Sequence, residues 1–164
     1  MDAMSPDARL LTRLLAELRR DLGAAEQRLD GLRTRREQLA DGDPVLASFF
    51  ALSLHSYYTA IETAFERISR SFDGGVPTGT RSHQELLETM TLELPGIRPA
   101  VIKPETLELL RELLGFRHFV RHAYAVTWRT ERLGQLVALA SKAHAPLMAD
   151  MTVFLSYVDA LAGH

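Results

Sequence analysis

Residues 44–72 read PVLASFFALSLHSYYTAIETAFERISRSF. Asp43 or Pro44 opens a helix here: the aspartate can accept from an orphan amide, and proline suits the first helical position. The stretch then carries Leu46, Phe49, Phe50, Leu54, Tyr57, Tyr58, Ile61, Phe65, Ile68 and Phe72. No other segment is as apolar, so it is expected to be the central helix of the core.

Upstream, Asp41-Gly42-Asp43-Pro44 breaks the pattern. Before that break, Leu11, Leu15, Leu18, Leu22, Ala25, Leu29, Leu32 and Leu39 follow a heptad-like stripe of fours and threes, a long first helix within residues 1–40. Ser5 can cap it, with Pro6 at its first position and Asp7 in its first turn. Arg9, Arg13, Arg19, Arg20, Arg28, Arg33, Arg35 and Arg36 lie between the apolar positions. They fit a solvated face or a helix packed along a bundle or a partner protomer.

Downstream, the run from Gly74 to Thr80 is a loop without the Gly-Lys-Ser/Thr ending of a phosphate-binding P-loop. Ser82 can cap a third helix, and Glu85 three residues on would complete a capping box. This helix carries Leu86, Leu87, Met90 and Leu94 and is stopped by Pro95-Gly96. A fourth starts near Pro104-Glu105 and runs through Leu107, Leu110, Leu113, Leu114, Phe116, Phe119 and Val120, with Gly115 inviting a bend. A fifth carries Leu133, Leu136, Val137, Ala140, Leu147, Met151, Phe154, Leu155, Val158 and Leu161, with a kink expected at Pro146. No β alternation or internal repeat is evident. The expectation is one all-α domain over residues 1–164, an up-and-down bundle of about five helices, antiparallel where loops are short.

Composition narrows the function. The 164 residues carry 19 Lys and Arg against 21 Asp and Glu, which excludes a generally polycationic nucleic-acid coat but leaves room for a local basic patch. The absence of cysteine excludes disulfides, thiolate metal sites and thiol nucleophiles. A polar opening and no apolar run near the ~20 residues of a bilayer span lead to the expectation of a cytoplasmic protein with no membrane association.

One segment concentrates chemistry: Gly115-Phe116-Arg117-His118-Phe119-Val120-Arg121-His122-Ala123-Tyr124. With Arg117 at zero and about 100° per residue, Tyr124, Arg121, His118 and His122 fall between about −20° and 140°. Phe116, Phe119, Val120 and Ala123 fall between about 200° and 300°. The polar groups are therefore expected on one surface strip and the apolar ones in the core. Histidine exchanges protons near neutrality, and arginine braces phosphate with paired donors, so the strip suits phosphodiester cleavage. Five arginines from Arg111 to Arg132 face only Glu112 and Glu131, a local excess that attracts a polyanion. His118 and His122 at i,i+4 could also hold a metal, but no third ligand follows at helical spacing. A solvated face with no chemistry produces the same pattern, and both readings stand at this level. His55 is expected as a core or interface histidine, His83 as a surface group near a helix start, and Trp128, Tyr57 and Tyr58 as core or interface aromatics. His144 and His164 are assigned no role.

Arg117, four residues, His122, one residue and Tyr124 resemble the Arg-x4-His-x-Tyr motif of the HEPN superfamily, specifically the HepT-like toxins of HepT/MntA toxin–antitoxin pairs. The lead-in Gly115-Phe116-Arg117-His118 is similar, as are residues 54–60 and 83–87; the resemblance spans about Leu46 to Leu161. It implies a homodimeric α-bundle, with two motif copies forming one RNA-cleaving site near the two-fold axis and no metal or other cofactor. Arg117 would stabilise the phosphate, His122 would act as general acid/base, and His118 would occupy a supporting position that is commonly Asn. Arg121 would add a substrate-binding charge. The implied partner is a minimal MNT-type nucleotidyltransferase antitoxin that adds AMP to Tyr124, and bulky negative charge there would repel RNA. A phenol packing across an interface is an equal reading of Tyr124. The alternative from another class is a non-catalytic HEPN-like adaptor that binds a nucleotidyltransferase; a third is a purely structural bundle.

Overall fold

The computed structural model describes the backbone of residues 6–122 and 128–163, and the side chains of residues 7–120 and 128–163. Five α-helices make up the bundle: α1 Pro6–Arg35, α2 Pro44–Phe72, α3 Ser82–Thr89, α4 Pro104–His122 and α5 Thr130–Ala162. A 3₁₀ turn, Arg36–Asp41, follows α1. The fold is all-α; a single isolated bridge, Leu94 to Arg98, is the sole β pairing among the described residues.

The first helix keeps its expected stripe. Leu15, Leu18, Leu22, Ala25, Leu29 and Leu32 are buried, while all eight arginines named above for this helix are exposed. The α-helix ends earlier than residue 40: the last six residues tighten into the 3₁₀ turn, which buries Leu39 and closes on Gly42 in the left-handed region. Ser5 lies outside the described residues.

α2 begins as expected, with Asp43 Oδ1 accepting from Val45 N at 2.9 Å and Pro44 at its start. It is the central helix in packing: α1, α3, α4 and α5 all rest on it. Phe50, Tyr57, Ile61, Phe65 and Ile68 are fully buried, and large side chains of this kind each contribute about 2 kcal/mol by leaving water. Arg67 clamps α2 to α1, with Nε 2.6 Å from Asp21 and Nη1 2.9 Å from Glu17.

α3 differs from its sequence reading. Ser82 is its first residue rather than its cap; Arg81 holds the cap position, with no side-chain bond to the helix end. The helix stops at Thr89, so Leu94 lies beyond it, in a tight turn closed by Leu94 and Arg98 backbone bonds. Arg98 is buried within this turn, bonded by both Nε (2.7 Å) and Nη2 (2.8 Å) to Asp73 and by its guanidinium to three backbone carbonyls. The same turn leads into α4, whose start is fixed by Asp150 of α5: Oδ2 accepts from Thr106 Oγ1 at 2.6 Å and from Lys103 N at 3.0 Å.

α4 runs through Gly115, and α5 runs through Pro146, without interruption. α5 is long and apolar enough, by length and composition, to cross a membrane. In the bundle its face of Leu133, Leu136, Val137, Ala140, Leu147 and Phe154 is buried against α1, α2 and α4.

Candidate functional site

Arg117 is the first motif residue, and it points inward. Its side chain is buried, with Nη2 3.4 Å from Glu62 Oε1. Glu62 comes from α2 and is itself 5% exposed. Its other oxygen, Oε2, lies 2.9 Å from His83 Nδ1 of α3. His83 Nε2 is in turn 3.4 Å from Arg117 Nη1. Arginine can only donate, so Nε2 accepts from it, which puts the imidazole proton on Nδ1, donating to Glu62. Three helices thus meet in a closed Arg–Glu–His triangle. Arg117 Nε is buried and without a hydrogen-bond partner among the described residues.

The triangle corrects two sequence expectations. Arg117 was expected on a surface strip; the buried carboxylate of Glu62 draws it in, because a carboxylate removed from water needs a cation or donors nearby. His83, expected as a surface group, belongs to the cluster. Its ring also meets that of His118 edge-on, with centroids 5.6 Å apart. His118 is exposed, as expected, beside the triangle. Tyr58, one turn before Glu62 on α2, is buried; burial pushes its phenol well above the usual range, the Glu62 charge adds to this, and Arg117 opposes it. It stays a neutral hydroxyl.

Glu62 was missed in the sequence, although a signal for it was present. It stands four residues after Tyr58 and three before Phe65, an acid on the apolar stripe of the most apolar helix. An acid there is either unpaired at great cost or paired with a buried cation.

The motif's other face carries aromatic rings. Phe119, expected in the core, is 51% exposed, while Phe116 is buried. Trp128 meets both edge to face, at 5.9 Å from Phe119 and 6.1 Å from Phe116. Trp128 thus gives Phe119 a surface partner in place of a core position. Together with Arg129 and Arg132 these rings line a cleft of about 410 Å³.

The basic segment is less free than its composition suggests. Arg111 pairs with Glu88 at 3.4 Å and Glu108 at 3.2 Å, and Arg117 with Glu62. Arg121 and His122 occupy the last turn of α4, but their side chains lie outside the described residues, as does the whole of Tyr124. Among the described residues no group of His, Asp and Glu is arranged to hold a metal ion.

Elsewhere, His144 is buried in the core, with Nδ1 3.1 Å from the Tyr57 hydroxyl. Burial holds its imidazole below the ordinary value of 6.5, with Arg33 acting in the same sense and Glu26 and Asp30 opposing. His55 is half-buried on the α2 side of a groove shared with α1.

A family model described as HepT-like protein matches residues 49–158, from α2 through most of α5. The chain belongs to the HepT-like family. As a HepT-like protein it is a member of the HEPN superfamily, in agreement with the all-α bundle and with the resemblance carried by Arg117, His122 and Tyr124. The matched span begins after α1 and takes in Glu62, His83 and Arg117, so the Arg–Glu–His triangle, built on α2, α3 and α4, falls wholly within it. No curated protein and no solved structure matches the chain.

Proposed function

We propose that this HepT-like chain is a metal-independent endoribonuclease toxin, acting in the cytoplasm as a homodimer and held in check by an MNT-type nucleotidyltransferase. The observation that carries the reading is the Arg117-x4-His122-x-Tyr124 motif of a HepT-like protein, with Arg117 and His122 on α4 and the arginine anchored by the Glu62–His83 pair.

In the proposed reaction an RNA 2′-hydroxyl attacks its adjacent phosphorus. One His122 takes the hydroxyl proton as the O2′–P bond forms. The P–O5′ bond breaks, and the departing 5′ oxygen takes a proton from the second His122 of the dimer. The products are a 2′,3′-cyclic phosphate and a 5′-hydroxyl. Arg117, with Arg121, stabilises charge on the phosphorane, and His118 supports the scissile phosphate beside them. AMP on Tyr124 would place bulky negative charge in the same site and exclude RNA.

A second reading is favoured by one feature, the commitment of Arg117 to a buried carboxylate. An arginine so held can serve packing alone, as in a non-catalytic adaptor that binds a nucleotidyltransferase. Purified protein incubated with RNA in excess EDTA separates the two. The ribonuclease produces fragments ending in cyclic phosphate, and His122→Ala lowers the rate by about 10²–10⁴-fold. Intact RNA with both proteins, at concentrations where a nucleotidyltransferase still binds, supports the adaptor.

A further inference from the structure

We propose that the cleft between α4 and the start of α5 is a nucleobase subsite, which takes an unpaired base of a single-stranded nucleic acid next to the motif. The proposal rests on the reading of RNA as substrate and extends it to how the strand is held.

The cleft has the right chemistry for a nucleotide. Its volume of about 410 Å³ lies in the range of small-molecule pockets. Phe116, Phe119 and Trp128 give it aromatic surface, and the two edge-to-face contacts fix the rings without closing the space between them. Arg129 and Arg132, both exposed, supply cations against the single carboxylate of Glu112 in the lining. Neither arginine forms an ion pair among the described residues, whereas Arg111 and Arg117 are already paired. Aromatic faces beside unpaired guanidinium groups suit a flat base and its phosphate. A purely apolar partner would leave both arginines desolvated and unpaired.

Position supports the same occupant. Phe119 stands three residues before His122 on the continuous helix α4, just under one turn, or about 4.5 Å along the axis. A base held at Phe119 keeps the neighbouring phosphate of the same strand close to the motif. Gly115, one turn earlier and also in the lining, is exposed, and a Cβ there would meet nothing within 4 Å, so this stretch of α4 leaves the cleft open.

Trp128 is the sole tryptophan in the chain, so its fluorescence reports on this cleft alone. The full-length protein is titrated with a single-stranded 2′-deoxyoligonucleotide, which has bases and phosphates but no attacking 2′-hydroxyl. An abasic strand of the same length and charge is the control, and binding of both is followed separately by anisotropy of an end label. The expected result is quenching by the base-bearing strand only, with Phe119→Leu and Arg132→Gln, both at exposed positions, each weakening binding by about tenfold. Binding of the base-bearing strand without quenching, or equal quenching by the abasic strand, overturns the subsite. So does emission that changes with protein concentration alone, which would make the cleft an interface between copies. RNA cleavage assayed on the same preparation separates the two claims. RNA cut while Trp128 stays silent removes the subsite and leaves the nuclease; quenching by bases with RNA intact keeps the subsite and removes the nuclease.

Discussion

Glu62 holds Arg117 and His83 at once, so its removal strands a buried guanidinium. Breaking a buried pair on one side commonly costs about 3–5 kcal/mol, because the remaining charge is left without compensation. Glu62→Ala is expected to lower unfolding free energy by about 3 kcal/mol. The double variant Glu62→Ala/Arg117→Met, which removes both charges, should recover much of that loss. Urea denaturation of the three proteins measures both, and an additive double variant would show that the pair is not coupled. His144 gives a second test at this scale. Its folded pKa is held below the ordinary 6.5 by burial, so the native state resists a proton that the unfolded chain accepts. Its contribution to stability is therefore complete above about pH 6.5 and declines as pH falls through the folded value. His144→Gln should flatten the pH dependence between neutrality and pH 5; an unchanged slope would assign the acid sensitivity to other groups.

At the scale of elements, the helices that a reader could extract from the sequence are those with long apolar stripes. α1 and α2 follow theirs, and the start of α2 matches Asp43 and Pro44 because a local side-chain bond decides it. α3 shows where local reading fails. Ser82 and Glu85 make a good capping box on paper, yet the turn at Gly79 lets Ser82 N donate to Gly79 O and draws serine into the helix itself. The direction of Arg117 was also illegible locally. On α4 alone it shares a face with His118; only α2, by presenting Glu62, turns it inward. Such a reversal depends on a residue 55 positions away in sequence, which no helical projection contains. The fixing of α4 is similarly long-range, through Asp150 on α5. Asp150→Ala leaves Thr106 Oγ1 and Lys103 N without their acceptor, at a cost of about 2 kcal/mol. Hydrogen exchange should show this loss first in the opening turn of α4; uniform loss across the bundle would contradict a local anchor.

For the whole molecule, the bundle brings one face of each of α2, α3 and α4 to a single charge cluster, and leaves an exposed aromatic surface on the other face of α4, at its junction with α5. The acid in the most apolar helix and the arginine bound to it tie α4 to α2. The proposed ribonuclease uses that arrangement to fix the helix that bears His122. Expression in bacteria of the wild-type chain and of His122→Ala, with growth and total RNA followed together, tests this most directly. The account predicts growth arrest with RNA cleavage for the wild type, and neither for a His122→Ala protein that is present and folded. Equal growth with intact RNA for both, in wild-type protein whose mass shows no AMP adduct, would contradict it.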